Sequence, residues 1–208
     1  MKKNYLPYIL GGVALILIWW FVSTRNSFVT LEETVNEAWG KVEVQYQRRL
    51  DLIPNLVSTV KGYTEHESQT LQSVTNARAG LTNAYNQAKD LSANLAGEAG
   101  APADAKQFNE YNKAQEELNR NFSIYVNAVK EAYPDLKADK QFQELQVQLE
   151  GTENRIATER GYYTKAVKEY NVAIRRFPAS LIASLSGFDA KPQFEADAAA
   201  KSAPAVSF

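Results

Sequence analysis

The sequence contains no cysteine, one histidine and one methionine. The absence of cysteine excludes disulfides, thiolate metal sites, a thiol nucleophile and a lipidated N-terminal cysteine, and leaves the redox compartment open. With one histidine, any serine–histidine catalysis would depend on His66 alone. An excess of one charge is also missing: 23 Lys and Arg stand against 24 Asp and Glu, a formal net charge of −1. No global field recruits nucleic acid or another polyelectrolyte, so no nucleic-acid partner is expected. Strand-like alternation of apolar and polar residues is lacking throughout, which points away from a sheet.

Long apolar runs are scarce as well. The one that exists, Leu6 to Val22, reads LPYILGGVALILIWWFV and carries no charge. As a helix it is about 25 Å long, near the short end of what crosses a hydrocarbon core of about 30 Å. Leu10 and Leu15 lie in its interior, while Tyr5, Trp19 and Trp20 lie towards its ends, where amphipathic rings prefer the headgroup region. These five residues are the expected membrane-anchoring set, with the lipid bilayer as partner. A cleaved signal peptide would share the Lys2-Lys3 start, but WWFVSTRNSF follows the run in place of a small-x-small cleavage site, so a retained anchor fits better. Lys2, Lys3 and the α-amino group outweigh Arg25 before the next basic residue, Lys41. That favours a cytoplasmic N-terminus and an extracytoplasmic bundle in a single-pass protein.

Beyond the anchor, apolar residues recur every three or four positions, the period of an amphipathic helix. One stripe runs through Leu31, Val35, Trp39, Val42, Tyr46, Leu50, Ile53, Val57 and Val60, and continues from Leu71 to Leu91. Pro54 falls inside it, and a kink or break near Asp51 to Pro54 is expected, because proline removes a helix hydrogen bond and clashes with the preceding turn. GEAGAPAD, Gly97 to Asp104, reads as the hairpin between antiparallel helices. Phe108, Tyr111, Leu118, Phe122, Tyr125 and Val129 mark the next helix, up to Tyr133-Pro134, and Asp135 can cap the helix after it. Phe142, Leu145, Leu149, Ile156, Tyr163, Val167, Tyr170 and Ile174 mark that last helix, which ends at the basic pair Arg175-Arg176. The expected fold is all-α: one N-terminal transmembrane helix (1–25), a long antiparallel bundle of about four soluble helical segments (26–188), and a poorly ordered tail (189–208) poor in large apolar residues. With few breakers after Val22, the anchor is expected to run almost directly into the first soluble helix.

Three ordered stretches carry a family resemblance. EAWGKVEVQYQRRLDLIPNLVSTVKGYTEHE (Glu37 to Glu67), AYPDLKADKQFQEL (Ala132 to Leu145) and LQVQLEGTENRIATERGYYTKAVKEYNVAIRRFPASLIA (Leu145 to Ala183), with Gly187-Phe188, closely resemble the LemA family of bacterial membrane proteins. The resemblance covers most of residues 26 to 195, outside the loop around Gly97 and the tail after Glu195. It implies an N-terminal membrane helix, a helical bundle and a biochemical role that remains unassigned, and it supplies no catalytic residue.

Chemistry is sparse. His66 sits between Glu65 and Glu67, but neighbours on a helix point about 100° apart and cannot converge on one ion, so exposed polar helix is the expectation and no metal site is assigned. No HExxH, GxSxG, Walker or GxGxxG arrangement occurs, and Glu32-Glu33 and Glu116-Glu117 read as solvated faces; no catalytic residue and no cofactor is expected. The aromatic stripe reads as core. Arg48, Arg49, Asp51 and Asn55 flank the expected break and are the candidate partner contacts, although capping of freed backbone groups by Asp51 or Asn55 suits them better. Glu153 in TENRI reads as a polar contact between helices. The expected function is a non-enzymatic membrane scaffold that associates into a homo-oligomer; the alternative is an adaptor or regulator of another membrane or envelope protein, such as a protease or transporter.

Overall fold

The computed structural model describes residues 5–64, 72–95 and 100–194. Lys2 and Lys3, the Glu65-His66-Glu67 trio, part of the loop around Gly97 and the segment from Glu195 onward lie outside the described residues. Among the described residues five α-helices follow one another: α1 (Leu6–Thr64), α2 (Gln72–Leu95), α3 (Ala105–Ala132), α4 (Lys140–Arg175) and α5 (Ala179–Ser186), with a 3-10 turn at Pro134–Ala138 before α4. Among the described residues there is no strand, in keeping with the all-α expectation.

Helix α1 is one unbroken helix of 59 residues, about 88 Å at 1.5 Å per residue. Its first part has no packing partner: Leu10, Leu15 and Trp19 are exposed, and this portion is long and apolar enough to cross a membrane. Burial begins with Trp20, partly covered, and Phe28, then follows the helical stripe through Val35, Trp39, Val42, Tyr46, Leu50, Ile53, Leu56 and Val60. The apolar segment therefore runs directly into the bundle wall. Helix α4 lies along α1, α2 pairs with α3, and the two pairs close an antiparallel four-helix bundle. Helix α5 caps the end nearest the apolar segment, against α1 and α4.

The expected break at Asp51 to Pro54 is absent. Pro54 sits inside α1 with its ring on the exposed side, where it displaces no core side chain. Leu52, Ile53 and Leu56 on either side are buried. Each such side chain contributes about 1.5–3 kcal/mol on burial, which together outweigh the cost of about 3 kcal/mol for an interior proline. The caps also differ from expectation. Asp139, not Asp135, caps α4 by accepting from the Phe142 N–H at 2.8 Å. Asp51 accepts from Gln47 Nε2 one turn away and caps nothing.

The α2–α3 connection is held by α1. Asn36 Oδ1 accepts from the Ala101 N–H at 3.1 Å, and Gly100, at φ +93°, lies so close that a Cβ there would meet that oxygen at 2.7 Å. Asp104 then caps α3 through the Lys106 N–H.

Residues 189–194, expected to begin a poorly ordered tail, are fixed against the bundle. Gly187, at φ +74°, ends α5 and turns the chain back along α4. Asn171 exchanges two hydrogen bonds with the backbone of Lys191, while the Tyr170 and Tyr163 hydroxyls donate to the carbonyls of Asp189 and Pro192. Lys191 pairs with Glu32 on α1 at 3.0 Å. Phe194 then packs on Trp39, Phe108 and Tyr163 with ring centroids 5.0–6.4 Å apart. A single large apolar side chain, anchored by satisfied backbone, is enough to order this strap.

Two outcomes are expected. Pro54→Ala should leave helical content unchanged by circular dichroism and raise stability by about 1–3 kcal/mol, since it restores one helix bond without moving the stripe. Phe194→Ala should cost about 2–3 kcal/mol in thermal or urea unfolding, and deletion of 189–208 at least as much, with most of the loss recovered when 189–194 are restored.

Candidate functional site

The interior is divided in two. The core nearest the apolar segment contains Trp39, Tyr46, Phe108, Tyr163 and Tyr170; the distal one contains Leu56, Leu81, Leu118, Phe142 and Leu149. Between them lies a layer of polar groups: Arg49 on α1, Asn112 and Gln115 on α3, and Thr152 on α4 are all buried. Arg49 Nη1 donates to Glu153 Oε1 at 2.8 Å, and Nη2 donates to the Gln115 carbonyl at 3.2 Å and to the Gln115 side-chain oxygen. Its guanidinium also lies over the Tyr46 ring, 5.3 Å from the centroid. The Arg49 side chain is 3% exposed and that of Glu153 29%, so the cation is desolvated while its partner keeps contact with water.

The candidate partner contacts thus separate. Arg49 points inward and holds three helices together, which removes it from any exposed recognition surface. Arg48, Asp51 and Asn55 remain on the outer surface of α1. Asn55 borders an open groove of about 740 Å³ between the distal ends of α1 and α4, lined also by Ser58, Asp139, Glu144 and Gln148. The polar contact expected of Glu153 is realised through Arg49. The polar layer has a sequence signal that periodicity alone passes over: the apolar stripe of α3 skips from Tyr111 to Leu118 and that of α4 from Leu149 to Ile156, and Gln115 and Thr152 fill those gaps at one height. Nor are the paired carboxylates all merely solvated, since Glu116 pairs with Arg160 at 3.4 Å and Glu32 with Lys191.

Above the layer the aromatic side chains pack edge to face and tilted around Trp39, and Arg160 lies 4.2 Å from the centroid of Phe194. Burial pushes the Tyr46 hydroxyl up to about 12, against a partial opposing pull from Arg160 and Arg49. Burial likewise raises Tyr125 to about 12, and raises Tyr170 to about 12 with help from the Glu32 and Asp189 charges. Burial raises Glu43 as well, beside Trp39. These shifts come from enclosure in packed helices. Among the described residues no group of three or more His, Asp or Glu is placed to hold a metal ion.

An apolar, unburied N-terminal segment, continuous with one wall of an antiparallel bundle whose middle is tied by a buried arginine, defines an all-helical bundle protein with a long apolar N-terminal helix. The LemA family model matches residues 38–208, and the chain belongs to the LemA family. The match spans the loop around Gly97 and passes Glu195, the limit of the motif resemblance. Two relatives are the magnetosome proteins MamQ 1 and MamQ 2 of Paramagnetospirillum magneticum, each 25% identical over 183 residues, covering 82% of this chain. The chain spans 64% of the length of those relatives.

Arg49→Ala is expected to destabilise by about 2–4 kcal/mol, because it strands the Gln115 oxygens in the core and leaves Glu153 without its cation. Glu153→Ala, at a partly wet position, should cost less, and a double-mutant cycle in urea should return a coupling of about 1–2 kcal/mol. The buried tyrosines fix the alkaline response. Their folded-state values lie above the ordinary 10.0, so the folded form holds its protons longer and the associated stability is complete below about pH 10 and lost as pH rises through about 12. Urea midpoints followed by circular dichroism should be level up to about pH 9.5 and fall steeply above it.

Proposed function

We propose that the chain is a single-pass, non-enzymatic scaffold of the bacterial inner membrane, anchored by residues 6–22, with its N-terminus cytoplasmic and its bundle extracytoplasmic. The observation that carries the proposal is the unburied apolar start of α1, which continues without a joint into the bundle wall. A helix shared in this way fixes the distance of the bundle from the bilayer and its orientation relative to the anchor, which a flexible linker would not. Self-association into a homo-oligomer is the second element. Gly11 and Gly12 leave an open, side-chain-free face on the anchor, with nothing within 4 Å of a Cβ built at either, and small residues of this kind let membrane helices approach closely. The alternative, an adaptor for another membrane or envelope protein, is supported by the polar groove beside Asn55 and the exposed Arg48 near it.

Leu15→Arg places a charge at the middle of the span, at about 2.5–3.5 kcal/mol on insertion scales, and is expected to release the protein on carbonate extraction. Full retention of the variant would refute the anchor. Light scattering of the detergent-solubilised chain, with detergent mass subtracted, is expected to give a multiple of 23.2 kDa. A single protomer mass, with cross-links in native membranes only to other proteins, would favour the adaptor.

A further inference from the structure

Helix α5 and the turn before it leave an apolar surface uncovered at the end of the bundle nearest the anchor. Phe177 and Leu185 are 82% and 81% exposed, more than any large apolar side chain in the anchor itself, where Tyr8 reaches 80%. Leu181, one helical turn before Leu185, adds 58%. The opposite side of α5 is fixed: Ile182 and Ala183 are buried in the same core as Phe28, with Trp20 packed against it. Phe188, just past α5, meets Phe28 edge to face at 5.4 Å. The exposed stripe is therefore held on a rigid support and is not a side effect of a loose segment.

Its height is set by α1. Trp20 and Phe28 are eight residues apart, about 12 Å along the helix axis, and the apolar run of α1 ends at Val22. Helix α5 thus stands level with the exit of the anchor, within the roughly 5–8 Å of headgroup region that lies outside each face of the hydrocarbon core. The local charge fits the same surroundings. From Arg175 to Phe188 the chain reads RRFPASLIASLSGF, with two arginines and no acidic residue, and both arginines are exposed. Apolar side chains directed at acyl chains with arginines at phosphate level are the makeup of an interfacial membrane contact.

We propose that Phe177, Leu181 and Leu185 form a second membrane contact, a foot that enters the headgroup–acyl boundary of the bilayer crossed by α1, with Arg175 and Arg176 on lipid phosphates. This rests on the anchor reading and adds to it. One helix fixes a point and leaves the bundle free to tilt about it, whereas two contacts fix its orientation.

The absence of cysteine makes single-site labelling clean. Leu15→Cys, Phe177→Cys, Leu185→Cys and Val147→Cys, each in the full chain and carrying an environment-sensitive nitrobenzoxadiazole label, are placed in vesicles of three parts phosphatidylcholine to one part phosphatidylglycerol. Quenching is read with a lipid bearing a doxyl group near the carbonyl end of its acyl chain and, for position 15 at the middle of the span, with one bearing it near the terminal methyl, after circular dichroism has shown each variant folded. The expected result is blue-shifted emission at positions 177 and 185, with quenching at least half of that at 15 and several times that at 147. Quenching at 15 but not at 177 or 185 would overturn the foot and leave the anchor standing. Absence of quenching at 15 would overturn the anchor, whatever position 185 shows. A blue shift at 185 without quenching would mean that protein, such as a second copy, covers the stripe, and would also overturn the proposal.

Discussion

The structure depends on one helix serving two different surroundings. Over its first turns α1 presents apolar side chains all round; from Phe28 onward it presents them along one stripe, and the other helices meet that stripe. No glycine-rich or proline-rich joint separates the two regimes, and the helix is continuous from Leu6 to Thr64. Everything else is arranged along this axis. Helix α4 lies against its stripe, Asn36 fixes the α2–α3 turn, Lys191 ties the C-terminal strap to Glu32, and α5 packs beside the point where the apolar surface narrows.

The second constraint is the register of helices long enough to slide. A stripe of Leu, Val and Tyr at regular spacing pairs nearly as well one turn up or down, whereas a buried guanidinium that must find Glu153 and Gln115 does not. The layer at Arg49 divides the core and costs stability relative to apolar filling, but it distinguishes the observed pairing from its shifted alternatives. Buried polar groups fix register in coiled coils by the same reasoning. Above the layer the packing is aromatic and gathers Tyr46, Tyr163 and Tyr170 on the side of the strap and α5, while below it the packing is richer in aliphatic side chains and encloses Tyr125.

Much of this was legible in the sequence because helix periodicity and apolar run length report directly on burial. The unburied apolar start of α1, the helices, the antiparallel pairing of α2 with α3 and the end of α4 at Arg175 follow from spacing and punctuation. What stayed hidden depends on contacts between distant segments. A proline inside a helical stripe carries the same local signal whether the helix breaks or continues, and the choice at Pro54 was made by buried Ile53 and Leu56. Arg49 beside Arg48 looks like one basic pair, and only the helix rotation sends one inward and the other out. The strap depends on a single aromatic residue, Phe194, whose partners Trp39, Phe108 and Tyr163 lie on three helices. Gln115 and Thr152 were detectable in principle, as missing apolar steps at matching heights in two stripes.

The central claim is that α1 carries the bundle as one rigid piece with the anchor, and it is tested most directly across the point where the helix leaves its unburied segment. Val22 and Val44 are both exposed. Spin labels at Val22→Cys and Val44→Cys in the full chain, reconstituted in lipid nanodiscs, can be read by pulsed dipolar spectroscopy. A continuous helix gives one narrow distance distribution, with the backbone positions about 33 Å apart. A broad distribution, or one centred well below that separation, would show a joint between anchor and bundle and contradict the account.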